Sequence, residues 1–535
     1  DGIPVNDAYG GVAAVSTLEV ESVKDLEVIT GTFNAEYGNA MSGVVNAVTK
    51  DGSNEFHGSV NSAYSTYITD NKRNGEKVYI GLDPFGINSN SDFRFNLSGP
   101  IIKDRLYFFS NFRTQGINGH LNGIRRFNVW NLSNFYDQDS SKWYSENTGD
   151  SAFVPMNKGN YSSLMGKVSL DLGNIRLSWM LNNNYSQSRG YSHVYKYNPD
   201  GRSYSDANTS LMMVQLNHFL NEKMFYDIKY SITDNNYGSY VFEDYDSYEV
   251  IKEDGIYQGV YRFEGDTVYN YVNDKYMTAF GTGFFTGGQD KGYTKRATVS
   301  RNFKTTFNWQ ATNAHSIKAG VSATFYDLQN TYHTIRNAYA GTELESNNYK
   351  PIVLPDSTVY SDMYSVEPKE ASFFLQDKFE RDEIVINFGL RYDTFDANTY
   401  YPSQRRNPIN ASTYYLKNID GTDSLDSNGN LVVDTQRMSE PIDSKVASQL
   451  SPRFGFAYQL GNVAVLHFSY GHFFQMPPMY AIYSNHSSII GPSDYSTTVG
   501  NSNLANDSLG LNAQKTVSYE VGLWQELGKN TSLEV

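Results

Sequence analysis

The sequence has 535 residues, a net charge of -15 at pH 7, 15% aromatic residues and no cysteine. The lack of cysteine excludes disulfides, thiolate nucleophiles and cysteine-based zinc sites, and the negative charge argues against non-specific nucleic-acid binding. No apolar run approaches the roughly eighteen residues of a membrane-spanning helix. The mean hydropathy of -0.52 does not exclude a membrane β-barrel, because each barrel strand shows lipid only every second residue.

Residues 1–54 are rich in glycine and small side chains. "VKDLEVITG" predicts a short strand that ends at Gly31, and "GVVNAVTK" predicts a strand with apolar residues on both faces, a pattern typical of burial on both sides. Between them, "AEYGNAMSG" places Gly38 and Gly43 among small residues, as a tight turn with close backbone approach requires. These features fit either a small independent α+β domain or a module that fills the lumen of a wide barrel.

From His57 onward, apolar and polar residues alternate with a period of two, which predicts β-strands. In "EIVINFGLRYDTF", Phe388 and Leu390 fall on one face, whereas Arg391 and Asp393 fall on the other. The segments "IRLSWMLNNNY", "SIKAGVSATF", "VAVLHFSYG" and "VSYEVGLW" alternate in the same way. We count about fourteen strands, with a fifteenth beginning near Asn530, and an odd number of antiparallel strands predicts an incomplete barrel.

The connections between these strands alternate strictly between short and long. The short turns are Gly173-Asn174, Asn221-Glu222, Thr312-Asn313, Arg381-Asp382, Gly461-Asn462 and Gly528-Lys529. The long polar stretches lie at roughly 67–90, 114–160, 187–209, 232–295, 328–369, 396–448 and 475–512. All short turns therefore lie at one end of the sheet, as in outer-membrane barrels. A surface adhesin or an array of sandwiches is the alternative, but it has no reason to collect its long loops at one end.

Several segments together resemble the TonB-dependent outer-membrane receptors. "DGIPVND", "LEVITGTFNAEYGNAMSGVVNAVTKDG" and "EFHGSV" are similar to the C-terminal half of the plug of these receptors and the first barrel strand. "NLSGPIIKDRLYFFSNFR", "FFLQDKFERDEIVINFGLRYD", "LSPRFGFAYQLGNVAVLHFSYGHFFQMPP" and "KTVSYEVGLWQEL" resemble their strands and short turns. The chain is most similar to the receptors that carry a carboxypeptidase-regulatory-like domain, including the Oar-like group.

This resemblance implies a membrane all-β fold, a large antiparallel transmembrane β-barrel with an N-terminal α+β plug inside the lumen. The family has about twenty-two strands, of which about fourteen or fifteen would be present here. It implies the C-terminal part of the plug at residues 1–54 and a partial barrel with long extracellular loops at residues 55–535. We therefore expect a monomeric barrel in the lipid of a Gram-negative outer membrane, and a TonB-type energy-coupling complex that binds a TonB box outside this chain.

The implied function is energy-coupled uptake of a scarce solute, which could be a siderophore, a vitamin, an oligosaccharide or a peptide. The alternative is a non-transporting surface protein that acts in adhesion or in protein export or presentation. For the transporter, we expect the plug segment to carry the gating through five candidate residues, Gly38, Ser42, Gly43, Asn46 and Lys50. We expect polar residues on the lumen face to hold the plug by hydrogen bonds, namely Asn182, Asn387, Arg391 and Asp393.

The sequence gives no indication of an enzyme, a metal site or a cofactor. Walker, GxSxG and HExxH motifs are absent from it. His467 and His472 are five residues apart, which puts them on opposite faces of a strand. "DGTDSLDSNGNLVVD" resembles a calcium loop in composition, but Ser424 stands where the first carboxylate belongs and Thr435 where the bidentate Glu belongs. We therefore expect a solvated loop at residues 420–434.

Overall fold

The computed structural model describes most of the chain. The described residues are 1–10, 18–31, 34–41, 43–69, 71–82, 89–243, 248–253, 256–263, 266–269, 271–278, 283–346, 349–404, 407–410, 412–461, 463–487, 513–528 and 531–535. Parts of the predicted organisation lie outside them. These include Ser42 of the candidate gating segment, most of the last long connection and parts of four others, the turn residues Asn462 and Lys529, and Asn530, near which the fifteenth strand was predicted to begin.

The regular secondary structure of the described chain is almost entirely β-strand. Its strands are β1 Val23–Thr30, β2 Gly43–Thr49, β3 His57–Ser65, β4 Lys72–Arg73, β5 Glu76–Lys77, β6 Asn90–Ile102, β7 Leu106–Ile117, β8 Asn122–Ile124, β9 Ser133–Asn134, β10 Tyr144–Ser145, β11 Phe153–Pro155, β12 Lys158–Asp171, β13 Ile175–Arg189, β14 Tyr204–Asn221, β15 Met224–Tyr240, β16 Tyr248–Glu253, β17 Ile256–Phe263, β18 Asp266–Tyr269, β19 Gly292–Gln310, β20 His315–Thr334, β21 Arg336–Asn337, β22 Pro351–Ile352, β23 Ser361–Val366, β24 Lys369–Arg381, β25 Ile384–Asp396, β26 Tyr400–Pro402, β27 Pro441–Asp443, β28 Ala447–Leu460, β29 Ala464–Gln475, β30 Gln514–Gly528 and β31 Thr531–Glu534.

The helical elements are short. They are the α-helix α1, Met479–Tyr483, and 3-10 turns at Val20–Ser22, Ser140–Lys142, His193–Tyr195, Pro199–Gly201, Asp274–Tyr276, Glu343–Ser346 and Thr435–Arg437. None of the helices in the described ranges is long and apolar enough to cross a membrane.

One large antiparallel sheet contains the long strands in sequence order, β3-β6-β7-β12-β13-β14-β15-β19-β20-β24-β25-β28-β29-β30-β31. The fifteen strands on this path confirm the predicted number, and the last one begins at Thr531. The short strand β23 pairs with the end of β20, and β24 pairs with the rest of β20, so these two strands continue one another along the same partner. The remaining short strands form small sheets of two or three strands within the long connections.

The alternation of short and long connections is confirmed, but several strands are longer than the sequence predicts. The stretch 232–295 was expected to be a loop, yet β15 continues to Tyr240 and β19 already begins at Gly292. Beyond the membrane both faces of a strand meet water or other loops. Apolar and polar residues therefore stop alternating while the ladder of backbone hydrogen bonds continues.

The outer face of the sheet carries rows of exposed apolar side chains. Two rows run across neighbouring strands in register, Trp179–Val214–Tyr230–Phe303 and Val321–Phe373–Tyr392–Leu450. All eight side chains are between 41% and 58% exposed. Apolar rows of this extent are typical of a surface that faces lipid.

The opposite, inner face is polar and largely buried, because residues 1–54, here called the N-terminal segment, lie against it. This segment contacts strands from β6 to β30, for example at Arg94, Lys167, Lys304, Arg391 and Thr516. One short segment can reach strands so far apart in the sheet only if the sheet curves around it. The fold is therefore part of a β-barrel with the N-terminal segment inside.

A small apolar core lies between the N-terminal segment and one part of the inner face. Ile3 and Val5 pack there against five buried wall residues, Phe109, Met165, Met180, Leu211 and Met213. A second cluster joins β20, β23 and β25 to α1 at the end of the sheet with the long connections. Elsewhere the inner face is polar, so these two clusters provide most of the apolar contact between the segment and the sheet.

The two predicted strands of the N-terminal segment are present as the antiparallel pair β1–β2. The expectation that β2 is buried on both sides is wrong, because Val45 is 47% exposed and its cross-strand partner Val28 is 61% exposed. A sheet of only two strands has one face against the wall, and its other face stays open. The apolar residues on both faces of β2 therefore do not indicate burial on both sides.

We expect the replacement Leu375→Arg on the outer face of β24 to destabilise the folded protein in lipid by about 2–4 kcal/mol, because a charge near the middle of a bilayer is poorly solvated. Leu375 is 46% exposed. The free energy of unfolding, measured by urea titration in lipid vesicles, tests this. The control is Leu416→Arg, in an exposed loop, which should have little effect. Equal effects of the two replacements would contradict a lipid-facing β24.

Candidate functional site

The polar contacts that hold the N-terminal segment to the inner wall include three clusters of side chains. The first contact joins Asn34–Gly38 to Lys318, Arg391 and Arg453. The second contact joins Glu19 and Glu21 to Asp92, Arg94, Arg113 and Tyr161. The third contact joins Thr49 and Asp51 to Lys167, Ser169 and Arg176.

In the first contact, arginines bind backbone carbonyls of the segment. The Nη1 of Arg391 donates to the carbonyl oxygens of Ala35 and Glu36, both at 3.2 Å. Its Nε donates to Asp393 at 2.8 Å, and this is possible because residues two apart share one face of a strand. Arg453 donates to the carbonyl oxygen of Asn34 in the same way. The wall thus holds this loop through its main chain.

The segment approaches Arg391 closely because Gly38 has no side chain. A Cβ at Gly38 would overlap the guanidinium group of Arg391. Gly389, on the same strand as Arg391, also lies close to the segment, since a Cβ there would lie 2.8 Å from the Cβ of Ala35. Beside this contact, Asn34 and Ala35 line a small cavity together with Asn387 of the wall. Lys318 adds an ion pair with Glu36.

The second contact is a network of ion pairs. Arg113 donates to Glu19 at 3.0 Å and Arg94 donates to Glu21 at 2.7 Å. Asp92 of the wall accepts from both arginines at 2.8 Å, so it holds them parallel. Burial alone would raise the pKa of the Glu21 carboxyl, but the hydrogen bonds from Arg94 and from its own backbone outweigh burial and lower it. Glu21 is therefore a carboxylate at neutral pH.

Glu19 is the more deeply buried carboxylate of the second contact. Its side chain is 7% exposed, and besides the bond from Arg113 it accepts a hydrogen bond from the hydroxyl of Tyr161 at 2.7 Å. A buried carboxylate is costly unless it is paired and hydrogen-bonded. The wall satisfies both requirements here.

The third contact lies near the short turns. Lys167 donates to the hydroxyl of Thr49 at 3.1 Å and lies 3.2 Å from Asp51. Asp51 also accepts from Ser169 at 2.8 Å and pairs with Arg176 at 3.2 Å. One carboxylate of the segment therefore pairs with two cations of the wall.

At the end with the long connections, the segment contacts a loop helix. The backbone N–H groups of Met479 and Tyr480 in α1 donate to the carbonyl oxygens of Ala8 and Tyr9, at 3.2 and 3.1 Å. The guanidinium carbon of Arg296 lies 3.7 Å from the centre of the Tyr9 ring. The helix α1 therefore meets the N-terminal segment directly, and nearby the backbone N–H of Met476 donates to Asn39 at 3.1 Å.

The structure brings some of the sequence-predicted residues together and separates others. Gly38, Arg391 and Asp393 form the first contact, and Asn387 lines the cavity beside it. Asn182 lies on β13, far along the sheet from β25, and is 2% exposed on the inner face.

The other candidates belong to the two-stranded part of the segment. A Cβ at Gly43 would lie 2.8 Å from the carbonyl oxygen of Ile29, and Asn46 lies opposite Glu27. Lys50 is exposed, and its backbone N–H donates to Ser22. Ser42 lies outside the described residues. The role of these residues in gating stays a prediction.

Most of the charged partners are not among the residues predicted from the sequence, including Glu19, Glu21, Arg94, Arg113 and Lys167. A signal for the wall cations was present. In "DFRFNLSG", Phe93 and Phe95 alternate with Arg94, which places Arg94 on the inner face. A charged residue on the inner face of a membrane strand needs a partner or water, and the N-terminal segment is rich in carboxylates.

The loop at residues 420–434 is held by its own hydrogen bonds. The carboxylate of Asp426 accepts from the backbone N–H groups of Asn428 and Asn430, both at 2.8 Å. These bonds, with that from Asn430 first, lower the pKa of Asp426. Across the described residues, no group of three or more His, Asp or Glu side chains could hold a metal ion.

Comparison with known proteins agrees with this architecture. The family described as "Outer membrane beta barrel domain" matches residues 138–529, which is well over half of the chain. The chain belongs to this family. It is therefore a protein of the Gram-negative outer membrane, as the sequence predicts.

Three known proteins show which kind of barrel this chain is similar to. The TonB-dependent transporter Oar of Myxococcus xanthus is 42% identical over 114 residues, which are 21% of this chain and 11% of Oar. The probable TonB-dependent siderophore receptor PirA of Acinetobacter baumannii is 34% identical over 119 residues, 20% of this chain and 14% of PirA. The crystal structure of the outer-membrane transporter YddB from Escherichia coli has a TM-score of 0.54 at 12% identity, over 98% of this chain and 55% of YddB. The barrel thus resembles TonB-dependent receptors and spans little more than half of this solved example.

We expect Gly38→Ala to weaken the seating of the N-terminal segment by about 1–3 kcal/mol, because the added methyl group overpacks against Arg391. The rate of protease cleavage within residues 1–54 of the folded protein should rise accordingly. Gly166→Ala on β12 is the control, since its Cβ would meet nothing within 4 Å. Unchanged protection in Gly38→Ala would contradict the close approach.

We also expect a coupling energy of about 1–3 kcal/mol between Glu19 and Arg113, because the pair is partly buried and hydrogen-bonded. A double-mutant cycle with Glu19→Gln and Arg113→Gln, followed by the free energy of unfolding, measures it. The exposed pair Lys417–Asp423, at 2.6 Å, is the control and should couple by less than about 1 kcal/mol. Equal coupling in both pairs would show that the second contact does not hold the segment.

Proposed function

We propose that this protein is a TonB-dependent transporter that imports a scarce solute across the outer membrane. The N-terminal segment would act as its plug. The observation that carries the proposal is the position of this segment, which occupies the inner face of a membrane barrel and bonds to strands from β6 to β30. Similarity to proteins named as TonB-dependent transporters or receptors supports a TonB-type complex as the source of energy.

The chemistry of the three contacts suits a plug that leaves its seat and returns. Their bonds are ion pairs and hydrogen bonds to carbonyls, and water can replace both kinds of partner when it enters the lumen. The apolar contacts of the segment include two clusters, one at Ile3 and Val5 and one at Ala8 and Tyr9, and withdrawal of the segment would expose both. The outer membrane has no ATP or ion gradient of its own. A pull on the segment from the periplasmic side would have to supply the free energy.

The solute would be captured at the end with the long connections. There, α1 bonds to Ala8 and Tyr9, so a solute that moves the loops could act on the segment through α1. The same loops would also serve a surface protein that does not transport. The two functions differ in one respect, because only the transporter has to move its plug.

Locking the plug to the wall tests the proposal. We expect the double variant Ala35→Cys, Gly389→Cys to form a disulfide on oxidation, since these Cβ positions lie 2.8 Å apart and a shift of about 1 Å reaches disulfide geometry. Cells expressing the complete protein should deplete at least one solute from conditioned medium, measured by mass spectrometry. The disulfide should abolish this depletion, and a reductant should restore it.

Ala35→Cys alone is the matched control and should transport normally after oxidation. Depletion should also stop when an ionophore collapses the proton gradient of the inner membrane. Depletion that continues in the cross-linked variant, or without the gradient, would rule out a TonB-dependent plug. A protein that causes no depletion at all would be the non-transporting alternative.

A further inference from the structure

We propose that the solute carried by this barrel is a polyanion, and that the cations of the inner wall bind it during passage. The proposal rests on the proposed transport function and adds the chemical class of the substrate. It follows from the signs of the charges in the contacts, which are negative on the N-terminal segment and positive on the wall.

The N-terminal segment is acidic, with eight carboxylates and only two lysines. Five of the carboxylates, Asp1, Glu19, Glu21, Glu36 and Asp51, reach the wall. Each of them pairs there with a wall cation. The two lysines, Lys24 and Lys50, are both exposed. The segment thus presents negative charge to a positive wall.

The wall cations come from many strands. Those that pair with carboxylates of the segment are Arg94, Arg113, Lys167, Arg176 and Lys318. Others bind its carbonyl oxygens, as Arg391 and Arg453 do. Lys304 also donates to the carbonyl of Gly2 at 3.0 Å. These cations line the inner face from β6 to β28.

Two of the wall lysines lie side by side. Lys229 on β15 and Lys304 on β19 are directly opposite each other in the strand register. Like charges opposite each other on neighbouring strands repel. The carboxylate of Asp227 lies 3.8 Å from the Nζ of Lys229, so it offsets the charge of that lysine only in part. A site of this kind favours a ligand that brings negative charge to both lysines.

The wall also has carboxylates of its own, and two of them, Asp92 and Asp393, have cationic partners within the wall. Asp92 accepts from Arg94 and Arg113, and Asp393 accepts from Arg391. When the segment withdraws, Lys167, Arg176 and Lys318 lose the carboxylates with which they pair. Their charges then stand in a lumen enclosed by low-dielectric walls, which concentrate the field.

A polyanionic solute would replace the lost carboxylates one after another. Its carboxylate, phosphate or similar groups would pair with the wall cations that the segment leaves. A neutral or cationic solute would leave those cations unpaired, and plug withdrawal would then be more costly. The same cations would therefore hold the plug at rest and conduct the solute when the plug moves.

Ion selectivity of the open barrel tests the proposal. The complete protein is placed in a planar lipid bilayer under a KCl gradient, and urea is added to displace the N-terminal segment. The reversal potential then gives the ratio of chloride to potassium permeability. We expect chloride to be preferred, and we expect tripolyphosphate to block the current where spermidine does not.

The double variant Lys304→Gln, Lys318→Gln should lower the chloride-to-potassium ratio by about twofold or more, because it removes two lumen charges. The control Lys77→Gln, Lys445→Gln removes two exposed lysines outside the large sheet and should leave the ratio unchanged. The sign of the selectivity in the unaltered protein decides the question even if the double variant does not fold.

The outcomes separate this proposal from the function on which it rests. A urea-induced current that prefers potassium, or that spermidine blocks, would overturn the polyanion while leaving the plugged transporter intact. No current after displacement of the segment would contradict the plugged channel itself.

Discussion

The structure depends on how the inner face of the sheet satisfies its buried cations. A barrel strand that faces lipid on one side has to place its polar residues on the other side, and here these include lysines and arginines in the middle of strands. Such charges require partners, because an isolated charge away from water is costly. The carboxylates and carbonyl oxygens of the N-terminal segment provide these partners, so the segment is also the counter-charge of the wall.

This constraint explains why the contacts are made as they are. Arg391 and Arg453 bind main-chain carbonyls, which every residue has. Such a bond requires only that the loop Asn34–Gly38 comes close to the two arginines. Gly38 makes that approach possible. Asp92 lies between Arg94 and Arg113 and keeps both guanidinium groups aimed at the segment. A wall arranged in this way presents its cations to an acidic segment.

Much of the fold could be predicted from the sequence because alternation with a period of two survives wherever one face meets lipid. Phe388 and Leu390 are exposed and Arg391 and Asp393 are buried, as their alternation indicates. The ends of β15 and β19 could not be predicted, since both faces are polar there. The site was predicted only in part. Arg391 was found because it faces inward, whereas Glu19 and Glu21 lie in an irregular stretch, and only the folded chain brings them to Arg113 and Arg94.

The contact between α1 and the N-terminal segment affects how the sequence of such a protein can evolve. Met479 and Tyr480 bond to Ala8 and Tyr9 through main-chain atoms on both sides. Most amino-acid replacements in the loop or the segment leave these bonds available, proline being the exception because it lacks the N–H donor. The loops are therefore free to change in sequence while the same main-chain contact with the N-terminal segment is retained.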